Sequence, residues 1–129
     1  MSISIVQLGT PRGADEGLRI GTVRRPPRGV PKAEFASRDY YDTWLPLLAP
    51  SAELMAAGKA AASDADWARF AKRYRAEMEG GEGARVLDLL AALSHSSQFA
   101  VGCYCENEER CHRSLLRQLL AERGAAIKS

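Results

Sequence analysis

Near its C-terminal end the chain reads Phe99-Ala-Val-Gly-Cys103-Tyr-Cys105, then Glu-Asn-Glu-Glu-Arg110, then Cys111-His112-Arg113-Ser-Leu-Leu-Arg-Gln-Leu-Leu-Ala-Glu-Arg-Gly124. An apolar run of strand length ends in cysteine, and a short charged loop follows. Next comes a helix pattern with Leu115, Leu116, Leu119 and Leu120 on one side and Gly124 at its stop. All three cysteines and one of the two histidines lie in this strand–loop–helix corner. Few arrangements satisfy such a corner except a sheet whose last strand feeds directly into a covering helix.

The rest of the chain reads around that corner. Residues 2–8 alternate about Ile3, Ile5, Val6 and Leu8 and predict a first strand, and 9–17 form a turn-rich loop with Pro11, Gly13 and Gly17. Residues 18–23 predict a second strand running into Arg24-Arg25-Pro26-Pro27-Arg28-Gly29, where two prolines stiffen the backbone. The spacing of Phe35, Tyr41, Trp44, Leu45 and Leu48 predicts a helix over 32–48. Ser51 reads as the N-cap of a short helix closed by Gly58, and Ser63 opens a longer one with Trp67, Phe70, Tyr74 and Met78 facing the core. Residues 84–93 predict a further helix, and 94–98 a polar connector with a solvent-facing His95. Trp44, Trp67 and Tyr74 are read as core. Helices between the second and third strands point to an α/β fold with a small, at least partly parallel sheet flanked by helices.

With 129 residues, 46% hydrophobic and 26% charged, the chain is one ordinary globular domain over 1–129. Its formal net charge of +2 excludes a bulk polycation argument for nucleic acid. The charge is unevenly placed, however. Arg12, Arg19, Arg24, Arg25, Arg28 and Lys32 stand in the first 32 residues against Asp15 and Glu16, and Arg110, Arg113, Arg117, Arg123 and Lys128 stand at the end against Glu122. An odd number of cysteines and the lack of a leader pattern point to a reducing, cytoplasmic setting. No apolar run approaches the roughly 20 residues that span a bilayer, so no membrane partner is expected.

In parallel sheets ligands bind beyond the carboxyl ends of the strands. The second predicted strand ends at Arg24–Arg28 and the third at Cys103–Cys105, and a helix N-terminus with Arg113 follows. Arg24, Arg28 and Arg113 are therefore expected to bind a small anion, phosphate or nucleotide-like. His112 is the best proton-transfer candidate, Cys105 a nucleophile, and Glu106 a group that orients His112 or an arginine. Three readings of the cysteines stand open. Cys105 through Arg110 looks like the six-residue active loop of rhodanese sulfurtransferases, except that Glu106, Glu108 and Glu109 replace small residues. Cys103, Cys105, Cys111 and His112 have the ligand types of a zinc site. Alternatively, the cysteines are small buried residues. The basic edge also fits a non-catalytic module for nucleic acid or a protein partner. No phosphate-loop, dinucleotide or serine-elbow motif is present, and the sequence assigns no cofactor.

Several motifs occur together in order: Arg24-x-x-Pro27-Arg28-Gly29, Trp44, Ala49-Pro50-Ser51-x-x-Leu54, Trp67-x-x-Phe70-x-x-x-Tyr74-x-x-Glu77, Cys105-Glu106 and Cys111-His112-Arg113. Over nearly the whole chain this resembles the YeaO-like proteins of the domain of unknown function 488 family. Pro26 stands where members often carry an aromatic residue. Some members lack cysteines in the last strand and helix, which favours His112 and the arginines for any shared activity. The resemblance implies an α/β fold and supplies no reaction.

Overall fold

The computed structural model describes residues 1–128. Strands β1 (Ile3–Gln7), β2 (Leu18–Gly21), β3 (Thr43–Trp44) and β4 (Phe99–Cys103) form one sheet in the order β1-β4-β2-β3, and every pairing is parallel. The apolar run at 99–103 is the central strand, paired on both sides and buried along its length, as an unbroken hydrophobic run requires. Helices α1 (Ala52–Ala60), α2 (Asp64–Glu79), α3 (Glu82–Leu93) and α4 (His112–Glu122) complete the α/β fold expected from the sequence.

Side-chain alternation divides the interior in two. Ile3, Ile20, Phe99 and Val101 pack with Leu54 of α1, Phe70, Tyr74 and Met78 of α2, Leu87 and Leu90 of α3, and the four leucines of α4. A smaller cluster holds Leu8, Val23, Tyr41, Cys103 and Cys111, with Phe35, Tyr40 and Tyr104 at its margin. At Gly21 the two layers nearly touch backbone, because a Cβ there would stand 2.3 Å from the Tyr41 ring.

The expected caps hold. Ser51 Oγ accepts from the Leu54 amide and Ser63 Oγ from the Asp66 amide. Glu77 accepts from both the Ser51 amide and its hydroxyl at 2.9 and 2.6 Å, tying α2 to the start of α1. Two motifs that lie 26 residues apart are thereby one contact. His95 is exposed as expected, and its Nε2 donates to the Gly124 carbonyl at 2.8 Å.

The helix expected over 32–48 is not formed. One 3-10 turn covers Lys32–Glu34, after which Asp39 adopts φ +63° and the Tyr40 amide bonds back to the Phe35 carbonyl, a helix-ending geometry. Downstream the backbone belongs to the sheet edge: the Asp42 amide bonds Arg19 O and the Leu45 amide bonds Gly21 O. The short strand β3 results, then a second 3-10 turn over Pro46–Leu48. Aromatic spacing imitated a helix where the edge of β2 claimed the hydrogen bonds. Trp44, expected in the core, is exposed on that edge strand, its indole N–H donating to Val23 O at 2.7 Å.

Arg19, not singled out by the sequence, is the largest fully buried side chain. Its guanidinium grips Glu16 with two bonds of 2.8 and 3.1 Å and donates to the carbonyls of Thr10 and Asp39. It thus binds the 9–17 loop and the turn at residue 39 to β2. Among the described residues no helix is long and apolar enough to cross a membrane.

Candidate functional site

Parallel pairing of β2 with β4 sends both chain segments out on the same side of the sheet, and there they are stitched together. His112 Nε2 donates to the Thr22 carbonyl at 2.8 Å, and the Tyr104 hydroxyl donates to Arg25 O at 2.8 Å. Arg24 Nε donates to Pro50 O, also at 2.8 Å. With the Trp44 bond to Val23, four contacts fix residues 22–25 before the prolines begin. The stiff arginine bend and the Cys-His-Arg turn are therefore neighbours across one cleft of about 840 Å³.

The wall of this cleft carries Arg24, Arg25, Arg28, Lys59 and Arg110, and no carboxylate lines it. Arg24, Arg25, Arg28 and Lys59 are exposed and have no ion-pair partner among the described residues. Arg110 pairs with Asp64, which lies outside the cleft, and its guanidinium carbon stands 6.0 Å from the centre of the Trp67 ring. Trp67 itself stacks on Phe70 at 4.9 Å, so the tryptophan read as core is a half-buried wall of the cleft instead. Tyr40 and Tyr104 stand edge to face at 6.2 Å on another wall. Lys59 and these aromatic walls were missed by the sequence reading. Lys59 lies on an otherwise plain helix, whereas the tyrosine flanked by two cysteines was a usable signal.

Cys103, Cys105, Cys111 and His112 also line the cleft. The three cysteines are free. Cys103 and Cys111 are buried with their sulfurs 2.8 Å apart, and Cys105 is exposed. The neighbouring thiols of Cys103 and then Cys111 hold the Cys105 thiol well below the usual thiol range, outweighing the opposing effect of desolvation. Cys103 is pushed far up by Cys105 first, then by Cys111 and by burial. Cys111 is lowered by its bond with Cys103, but its bond to Cys105 and burial outweigh this and leave it raised, at about 11.

His112 is buried, its ring 5.7 Å from that of Tyr74. Burial pushes its pKa down despite the hydrogen bond to Thr22 O, so the imidazole is neutral at pH 7. A carbonyl can only accept, so the ring proton sits on Nε2 and Nδ1 presents a lone pair. That lone pair lies on the cysteine side, 3.8 Å from Cys111 Sγ.

Two sequence candidates stand off the wall. Arg113 is buried and donates to the Cys105 carbonyl at 2.7 Å, so it shapes the loop that presents Cys105. Glu106 is exposed and does not line the cleft. The acidic loop is turned away as well: Glu108 takes a two-pronged bond from Arg117 of α4 at 2.7 and 2.9 Å, which holds its carboxyl below the usual range. One amide of the 105–110 loop and the one just after it are used locally, Glu109 N on the Asn107 side chain and Cys111 N on Glu108 O. A rhodanese-type ring of amides facing the thiol would need such groups free.

Fold and site together define a small parallel α/β protein with a strand-end cleft lined by cationic side chains, three thiols and an imidazole. Residues 3–124 match the family model DUF488-N3a, described as the active DUF488-N3 subclade. The chain belongs to the DUF488 family, in agreement with the motif resemblance. No curated protein and no solved structure matches it.

Proposed function

We propose that this protein binds a phosphate-bearing anion of nucleotide size in the strand-end cleft, with Cys105 as the group placed to react with it. The observation that carries the reading is the lining: five cationic side chains and no carboxylate around about 840 Å³, within the range of small-molecule sites. Guanidinium groups on a proline-stiffened loop lose little entropy on binding and suit phosphate oxygens two at a time. Trp67, half-buried between its stacking partner Phe70 and the guanidinium of Arg110, adds an aromatic wall to the cleft. Cys105 is the exposed thiol of this lining, on the loop that Arg113 braces. The subclade's description as active accords with a reacting group there.

Calorimetric titration with pyrophosphate and with a nucleoside monophosphate tests the reading. Binding is expected, and Arg25→Ala/Arg28→Ala is expected to weaken it tenfold or more while leaving the circular dichroism unchanged. Equal affinity in that variant refutes the cleft as the binding site. Tight binding of single-stranded oligonucleotides with a steep salt slope, and none of the mononucleotide, assigns the basic edge to nucleic acid instead.

A further inference from the structure

Among the residues that line the cleft, the ligand atoms of Cys103, Cys111 and His112 all lie within 4.8 Å of one another, and all three residues are buried. We propose that these three side chains form a metal site for a soft divalent cation, zinc above all, whose fourth position opens into the anion cleft. Two cysteine sulfurs and one imidazole nitrogen are the donor set that zinc prefers and that magnesium or calcium avoids.

The orientation of His112 supports the assignment independently of the clustering. A metal-bound imidazole characteristically gives its other ring N–H to a carbonyl or carboxylate, which fixes the tautomer and aims the lone pair. His112 does so, with Nε2–H on Thr22 O at 2.8 Å and Nδ1 turned toward the sulfurs. The Nδ1 to Cys111 Sγ distance of 3.8 Å is close to the roughly 3.5 Å edge of a tetrahedral zinc site. The two sulfurs, 2.8 Å apart, must separate by about 1 Å to share one zinc. Cys103 ends β4 and Cys111 precedes the first turn of α4, so each lies at the end of its element.

Cys105 lies outside this three-residue group and is exposed. It stays free to meet the bound anion, while an anion oxygen or water completes the metal's coordination. Loading the site releases two thiol protons to solvent as two metal–sulfur bonds form. His112 contributes its lone pair and keeps its Nε2 proton.

The test uses the whole chain, reduced and stripped with a chelator, then titrated with cobalt(II) and separately with zinc. One equivalent of cobalt is expected to give thiolate-to-cobalt charge-transfer absorption with tetrahedral d–d bands, and zinc is expected to abolish them. Cys105→Ser should keep the bands at one equivalent, whereas Cys103→Ser and Cys111→Ser should lose them. A folded wild-type chain without thiolate–cobalt absorption overturns the proposal, and this result does not depend on any variant folding. Bands lost in Cys105→Ser refute the three-ligand site. One reactive thiol instead of three in the freshly isolated, chelated and denatured chain marks a disulfide and overturns it too. Pyrophosphate binding by the stripped chain is read separately, so failure of the metal site and failure of the anion cleft are distinguishable.

Discussion

Replacing Arg19 by methionine removes a buried cation while retaining an unbranched side chain able to fill much of its space. Arg19 is 1% exposed and Glu16 is 8% exposed. In the variant, the Glu16 carboxylate would keep the Gly13 amide at 2.6 Å as its remaining partner. The carbonyls of Thr10 and Asp39 would also lose donors at 2.8 and 2.6 Å. Removing one member of a buried ion pair costs about 3–5 kcal/mol, chiefly because the other charge is left in a poor solvent. For a chain of this length that corresponds to a Tm lower by about 10–20 °C. Adding Glu16→Gln neutralises the stranded carboxylate, so the double variant should recover part of the loss, and the coupling energy should exceed about 1 kcal/mol. Urea unfolding followed by circular dichroism measures Arg19→Met, Glu16→Gln and the double variant. If Arg19→Met lies within about 1 kcal/mol of wild type, or the double variant shows simple additivity, the account of this network is wrong.

The same network sets an acid limit. Burial raises the Glu16 pKa, but hydrogen bonds from Arg19 and Gly13 more than offset this and leave it lowered; Asp42 is lowered despite burial by the Arg19 amide and Arg12. A carboxyl lowered in the folded state stabilises above its ordinary value and loses that contribution as pH falls through the folded one. Unfolding free energy should therefore drop below about pH 4 in wild type and drop less in Arg19→Met/Glu16→Gln, as urea titrations across pH would record. Gly21→Ala should cost about 1–3 kcal/mol, since its Cβ would meet the Tyr41 ring, and an unchanged urea midpoint would contradict that close approach. Leu116→Ala, at a fully buried position of α4, should cost about 2–5 kcal/mol in the same assay, and less than 1 kcal/mol would mean α4 is not docked as described.

Much of the fold was written in local pattern. The 99–103 run is an apolar strand because it is covered on both faces, and α2 and α4 show their buried stripes at helical spacing. The edge strand β3 was not legible, because two paired residues leave no period-2 signal. Its hydrogen bonds come from residues of β2 that lie more than 20 positions away. At the site, the strand-end logic placed Arg24, Arg28, Cys105 and His112 on one cleft. Arg113 and Glu106 differ because side-chain direction at a helix start and in a tight loop depends on neighbours: Arg113 turns inward to Cys105 O, and Glu106 stays exposed off the cleft lining. The closeness of Cys103 to Cys111 follows from the 3-10 turn at Glu108–Arg110 folding the loop back, a feature that spacing alone does not encode.

The central claim is that the cationic bend and the Cys-His turn surround a single anion site. Amide chemical-shift mapping with pyrophosphate on the isotope-labelled chain tests it most directly. The account predicts saturable shifts confined to 22–28, the end of α1 near Lys59, and 103–113. Shifts centred elsewhere on the surface, or none at millimolar pyrophosphate, would contradict it.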